Sequence, residues 1–322
     1  MQIVPVLFTF DKYYVVAAEV AIFSLLKNAS LTYQYNLYVL YRNLPTKSQR
    51  KLKSIVQKFQ NAVIEFIDMT SLDYKYFDLP SKKHFSKEIF YKLTAAEIFP
   101  QYERILCSDV DVVFTGDISP SFFMFENEPF YFAGVGQIIK STRMDTYKQD
   151  FSKKEQDILK YEINAGFLLI NLKEIREKSM QKTLTDFYLN NFHRTPLPEQ
   201  DTLTLCCWPA LKFLPAKYNI YNYYNEKDFD PASLTDEFVE LNKEENPLSI
   251  LKDALAHPIM IHFVGVEKPW NSWGIPKQEV WNHYLKESGC FFDYLLDLPI
   301  QLNKRLKRLS LRRFLRKLFK KI

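Results

Sequence analysis

The stretch Cys107-Ser108-Asp109-Val110-Asp111-Val112-Val113 is where this chain first offers chemistry. It follows Arg104-Ile105-Leu106 and, with period two, reads as a short apolar strand ending in two carboxylates. Alternate residues of an extended chain project to the same side, so Asp109 and Asp111 can reach one point in space. Two carboxylates held together among apolar residues repel each other, and a cation between them relieves the repulsion. Hard divalent ions such as Mn²⁺ or Mg²⁺ take oxygen ligands and often keep open positions for phosphate oxygens. An acidic turn is the plainer alternative for an Asp-x-Asp taken alone.

A second apolar run, Pro258-Ile259-Met260-Ile261, closes on His262, with Gly265 and Lys268 shortly after. A lone histidine there is equally a packed core residue. Beside Asp109 and Asp111, its imidazole supplies the third protein ligand that a Mn²⁺ site accepts. The chain has only seven glycines, and Gly166 lies in Asn164-Ala165-Gly166 between two strand-like runs. Such a glycine marks either a place where a ligand could approach the main chain closely or a β-bulge. Asp11 follows the first strand-like run and suits a helix cap. Glu199-Gln200-Asp201 opens a helix, where acidic side chains complement the helix dipole.

In order along the chain these segments resemble glycosyltransferase family 8, the retaining, nucleotide-sugar-dependent enzymes that include bacterial lipopolysaccharide glucosyl- and galactosyltransferases. Five segments carry the resemblance: Phe8 to Tyr14, Phe90-Tyr91-Lys92-Leu93, the Asp109/Asp111 strand, Ile163 to Leu172, and Ile261 to Trp270. The resemblance implies Asp109, Asp111 and His262 as metal ligands, with Gly265 giving backbone access to the diphosphate and Lys268 offsetting its charge. It places Asp11 near the uracil and ribose, Tyr14 on the base, and the backbone of Phe8 and Thr9 at the base edge. Asn164, Ala165 and Gly166 line the sugar pocket in this reading, and Val110 is counted among the donor contacts. Lys92 stands where many members carry an arginine, which keeps the charge but loses the bidentate fork. Glu199, Gln200 and Asp201 fall below the anomeric carbon, with Gln200 and Asp201 as the catalytic pair. Retention needs a nucleophile on that face or a same-face attack guided by the leaving phosphate. Gln200 is a poor nucleophile, because an amide oxygen carries only partial charge.

The elements that must hold these residues alternate. Residues 3–10, 35–41 and 62–67 read as strands; 15–26 and 45–59 read as helices. Ser86 suits an N-cap for a helix over 87–99, stopped by Pro100. A second strand group runs through 130–172, a helix covers 173–191, and 211–224 is loop and strand rich in Tyr and Asn. Residues 228–246 are polar and acidic, and 258–264 form a final strand. Alternation of this kind gives an α/β fold with a mostly parallel sheet, whose ligands bind beyond the carboxyl ends of its strands. Together with the resemblance, it predicts a GT-A-like, Rossmann-type nucleotide-sugar domain over residues 1–298.

Hydrophobic residues at 47% and aromatics at 16% supply ample core. The cysteines Cys107, Cys206, Cys207 and Cys290 include no C-x-x-C pair, which favours buried thiols in a reducing compartment. Residues 1–5 carry no basic leader, so no secretory signal is expected. The net charge of +5 conceals an asymmetry: ten basic and no acidic residues lie in 304–321, which leaves an acidic body. Leu311, Phe314, Leu315, Leu318 and Ile322 recur there at helical spacing among Arg and Lys. This predicts a basic amphipathic tail over 299–322 that holds an otherwise cytoplasmic protein on an anionic membrane. Nucleic acid is not an expected partner. The chemistry expected is metal-dependent transfer of glucose or galactose from a UDP-sugar to a hydroxyl of a lipopolysaccharide, glycolipid or other surface glycan. The rivals are a sugar nucleotidyltransferase, which wants a glycine-rich loop that 8–14 lacks, and an inactive transferase-like membrane adaptor.

Overall fold

The computed structural model describes residues 1–71, 87–141, 143–225 and 229–303. Its ten strands are β1 (Ile3–Thr9), β2 (Gln34–Tyr41), β3 (Ala62–Asp68), β4 (Arg104–Ser108), β5 (Val112–Phe114), β6 (Phe132–Gly136), β7 (Ile163–Asn171), β8 (Leu211–Phe213), β9 (Ile220–Tyr221) and β10 (Met260–His262) among the described residues. Seven make one sheet in the order β3-β2-β1-β4-β7-β6-β8, and β5, β10 and β9 make a second. The first four strands of the large sheet are mutually parallel, β7 runs antiparallel to β4 and β6, and β8 is parallel to β6. The expected α/β architecture with a mostly parallel sheet is present.

Strand β1 is buried at six of its seven positions, as a central strand covered on both faces must be. Pro5 sits in it without breaking the sheet, because β4 pairs only with Val6, Leu7 and Phe8. The Val15–Asn28 helix is apolar nearly all round, the pattern of a helix with protein on every side. Two of its polar residues fasten the second sheet: Ser24 Oγ accepts from Phe114 N at 3.0 Å, and Asn28 Nδ2 donates to Phe114 O at 3.0 Å. A third, Glu19, is fully buried beside Cys290 and Asp293. Burial pushes its carboxyl up to about 7, Asp293 adds to the rise, and Lys51 opposes it.

The structure departs from the sequence expectations at four places. The strand expected to end in both acids stops at Ser108, and Asp109 to Asp111 form the crossing from the large sheet to the small one. The acids therefore converge through a turn rather than through strand alternation. The helix expected over 87–99 is 3₁₀ at Lys87–Thr94 and α only at Ala95–Ile98, and Ser86 lies outside the described residues. The helix expected over 173–191 is two helices, Leu172–Glu177 and Met180–Asn191, with Ser179 between them at φ 54°. Asp11 does not cap the first helix; Tyr14 holds the N-cap position and Asp11 closes the turn before it.

At the far end, residues 291–303 are helical and reach the turn before the first helix: Gln301 Nε2 donates to Tyr13 O at 2.9 Å. The expected tail begins within this helix at 299, and its basic part, 304–322, lies outside the described residues.

Candidate active site

Strands β1 and β4 lie side by side and parallel, so their carboxyl ends open at one edge of the sheet. Asp109 leaves β4 there, and its N–H donates to Gly166 O at 2.9 Å, which carries the ladder one step past the strand. On the other side of the turn, Phe263 N donates to Asp111 O at 2.9 Å, and β10 pairs His262 opposite Val112. Backbone pairing thus brings His262 to the acids from far along the chain.

Each acid divides its two oxygens. Asp109 Oδ1 receives Lys92 Nζ at 2.6 Å, while Oδ2 lies 3.9 Å from His262 Nε2. Asp111 Oδ2 receives Lys268 Nζ at 2.6 Å, while Oδ1 lies 3.3 Å from the same nitrogen. The three candidate ligand atoms lie within 4.8 Å of one another. An oxygen–oxygen–imidazole set of this kind fits Mn²⁺, and Mg²⁺ less well because of the nitrogen. The donor set therefore suits a divalent cation of the kind expected from the sequence, Mn²⁺ or Mg²⁺.

The electrostatics follow from burial. Burial alone would raise the Asp111 carboxyl, but the Lys268 ammonium at 2.6 Å holds it well below the usual carboxylate range. Burial opposes charge on Lys92 too, and Asp109 and Glu199 overcome it, so the ammonium stays charged beyond its usual range. Glu199, whose Oε1 lies 3.1 Å from Lys92 Nζ, is pushed up to about 7 by burial, despite Lys92.

Gly166 proves to be needed for packing within the site. A Cβ there would lie 2.3 Å from Cε1 and 2.6 Å from Nδ1 of His262, and 2.8 Å from Asn164 Oδ1. The close approach expected of a ligand is made here by the histidine ring. Gly265 differs: it has φ +86° and nothing within 4 Å of where a Cβ would stand.

A polar network lies behind this cluster. Gln200 Oε1 accepts from Ala165 N at 3.2 Å and Asn164 Nδ2 at 3.2 Å, and Gln200 Nε2 donates to Glu162 Oε1. Asn164 Nδ2 also donates to Tyr221 Oη at 2.9 Å. Asn164 Oδ1 accepts from Gly166 N at 2.8 Å and from Asn219 Nδ2 at 2.6 Å, and Asn219 Oδ1 meets His262 Nδ1 at 3.1 Å. Sequence reasoning did not find Glu162, Asn219 or Tyr221. Glu162 precedes the Asn-Ala-Gly segment by two positions, and the other two lie in the Tyr- and Asn-rich stretch that was read only as loop and strand.

The remaining expected residues sort by position. Lys92, Asp109, Asp111, Asn164, Ala165, Gly166, Glu199, Gln200, His262 and Lys268 form one connected group. Asp201 turns away from it: it is fully buried, with Oδ1 accepting from Tyr147 Oη at 2.6 Å and Oδ2 from Leu197 N at 3.0 Å. Val110 and Phe8 are buried in the core. Thr9 is buried as well, and its Oγ1 has no hydrogen-bond partner among the described residues. Tyr14 packs edge-on against Trp270, 5.6 Å between centroids, which ties the Asp11 turn to the Lys268 segment.

Fold and cluster together define a class, the glycosyltransferases. Residues 5–274 match glycosyl transferase family 8, and the chain belongs to that family. It is similar to a lipopolysaccharide 1,2-glucosyltransferase of Escherichia coli, 24% identical over 269 residues, 82% of this chain and 72% of that protein. It also resembles a lipopolysaccharide 1,3-galactosyltransferase of Salmonella typhimurium, 22% identical over 272 residues, with the same coverage of 82% and 72%. Among solved structures, the galactosyltransferase LgtC in complex with donor and acceptor sugar analogs superposes with a TM-score of 0.68 at 18% identity, covering 88% of this chain and 95% of LgtC. Membership decides between the two enzyme classes that the sequence left open, in favour of the glycosyltransferase.

The Gly166 contacts generate a prediction. In Gly166→Ala the Cβ cannot coexist with the observed His262 ring, so the ring must move. Overpacking of this kind costs about 1–3 kcal/mol. We expect a lowered melting temperature and glycosyl-transfer turnover reduced at least tenfold. Wild-type turnover and melting temperature in the variant would show that the ring position is unimportant.

Proposed function

We propose that the protein is a metal-dependent, retaining hexosyltransferase that moves glucose or galactose from a UDP-sugar to a hydroxyl of lipopolysaccharide or a related surface glycan. The observation that carries the reading is the Asp109/Asp111/His262 cluster with one buried lysine on each acid. The names of the relatives support the acceptor class. Bound by the three ligands, Mn²⁺ would act as a Lewis acid on the leaving diphosphate. Lys268 then sits at the edge of the diphosphate site, and the open space at Gly265 lets phosphate oxygens reach the backbone. Asp11, Tyr14 and the strand end at Phe8 and Thr9 hold the nucleoside in this reading. Asn164, Ala165, Gly166, Lys92 and Glu199 bound the sugar.

Gln200 is held at both ends of its amide, and Asp201 is engaged through both oxygens. That arrangement supports same-face attack guided by the leaving phosphate over a covalent glycosyl-enzyme. Gln200 acts by orienting the sugar, and Asp201 by fixing the start of the Pro198–Cys207 helix.

We also propose membrane association through the C-terminal segment. No helix among the described residues is long and apolar enough to cross a membrane. The 291–303 helix exposes Phe292, Leu296 and Ile300 by 78, 72 and 52%, spaced four apart on one face. It runs directly into the basic stretch 304–321. An apolar row continued by cations suits the interface of an anionic bilayer on the cytoplasmic side.

The test of the reaction is a donor hydrolysis and transfer assay on Asp109→Asn. Lys92 keeps Glu199 as a partner in that variant, so folding is spared, whereas Asp111→Asn would strand Lys268. Asp109→Asn is expected to lose at least about 100-fold in Mn²⁺-dependent turnover with a small change in melting temperature. The wild-type product should keep the donor's anomeric configuration by NMR. Retained turnover in the variant defeats the metal assignment, and an inverted linkage defeats the mechanism. For the membrane, Phe292→Ser/Leu296→Ser should weaken binding to anionic vesicles while leaving donor hydrolysis unchanged. Equal vesicle binding by that variant and wild type would remove this face from the account.

A further inference from the structure

Two backbone N–H groups fix the polarity of a buried hydrogen-bond chain that runs from the sugar side of the site to the metal side. A main-chain amide only donates, so whatever accepts from it must be oxygen. Gly166 N–H at 2.8 Å therefore identifies Oδ1 of Asn164, and the Asn219 atom on that same oxygen at 2.6 Å must be Nδ2. The other end of the Asn219 amide is then Oδ1, and it faces His262 Nδ1 at 3.1 Å. An amide oxygen carries no proton, so the hydrogen belongs to Nδ1. A neutral imidazole has one such proton. Its lone pair is consequently on Nε2, the nitrogen that faces Asp111 Oδ1 at 3.3 Å and Asp109 Oδ2 at 3.9 Å.

That orientation runs against local preference. Left to itself, a neutral imidazole beside two carboxylates would put its proton on Nε2 and donate to Asp111. The chain prevents this, and Asn219, 1% exposed at the entry to β9, is the residue that imposes it. Strand pairing explains its placement: β9 lies parallel to β10 with Tyr221 opposite His262, which sets Asn219 beside the ring. The far end is fixed in the same way. Ala165 N–H identifies Oε1 of Gln200, which sends Nε2 to Glu162.

We infer that Asn219 is a positioning residue that holds His262 in the Nδ1–H tautomer and so presents an Nε2 lone pair to a cation shared with Asp109 and Asp111. The inference rests on the metal reading proposed above. Outer partners that fix a ligating histidine in this way are typically worth 10–100-fold in metal affinity.

The experiment is ¹⁵N NMR of histidine-labelled, metal-free full-length protein at alkaline pH, with His262 assigned as the signal lost in His262→Gln. Wild type is expected to show a protonated Nδ1 and an unprotonated Nε2. Asn219→Leu, which keeps size but neither donates nor accepts, should move the proton to Nε2. It should also weaken Mn²⁺ binding by about 10–100-fold in a titration that follows the free ion by EPR. Asn219→Asp keeps an acceptor for Nδ1–H and should retain the wild-type tautomer and Mn²⁺ affinity, while losing donor affinity because it opposes Asn164 Oδ1 with a second acceptor. An Nε2–H tautomer in wild type overturns the inference, as does an unchanged tautomer and Mn²⁺ affinity in Asn219→Leu. Should that variant fail to fold, the wild-type spectrum and the Asn219→Asp titration decide the matter. Failure of wild type to bind Mn²⁺ would instead defeat the metal reading, and the ring signals would still report on Asn219.

Discussion

Two ion pairs made by buried lysines, Lys92 with Asp109 and Lys268 with Asp111, are the constraint on which the rest of the site depends. Each lysine takes one oxygen of its acid and leaves the other turned toward His262 Nε2. Without the lysines the two carboxylates would repel, and burial would push Asp111 toward protonation. With them both acids are fixed in direction, and Lys268 keeps Asp111 ionised. Removing one partner from a buried pair typically costs about 3–5 kcal/mol, so these positions constrain the fold as well as the chemistry. Asp109 is the more tolerant of the two, because Glu199 stands by for Lys92.

The same pairing offsets charge. Each acid meets one ammonium, and Lys92 is shared between Asp109 and Glu199. The polar chain from Glu162 through Gln200, Asn164 and Asn219 to His262 adds direction to that balance. It links the side that holds the sugar to the side that holds the metal, through groups that are nearly all buried and satisfied.

Much of this was legible in the sequence, for physical reasons that can be named. The long apolar runs of β1 and β7 could only be strands covered on both faces, and the first helix announced itself by an apolar circumference. Asp109, Asp111, His262 and Lys268 stood out because charged residues rarely end apolar runs without a partner. What could not be read depended on tertiary contact. No glycine or proline marks the break at Ser179, and nothing local marks the 3₁₀ winding at Lys87–Thr94. Asp201 reads like Glu199 in a helix opening, yet Tyr147 and Leu197 turn it inward. Asn219 gave no signal at all, since an asparagine before a two-residue strand looks like any loop residue. Gly166 was legible as a close approach, but what approaches it, the His262 ring, comes from a strand nearly a hundred residues later.

The central claim is that Asp109, Asp111 and His262 hold a cation that meets a sugar nucleotide's diphosphate. The most direct measurement is an anomalous difference map at the manganese edge, from crystals grown with Mn²⁺ and UDP. One peak is expected within bonding distance of Asp109, Asp111 and His262 Nε2, beside the UDP diphosphate. A fully occupied UDP with no peak there, or a peak confined to Glu19, Cys290 and Asp293, would contradict it.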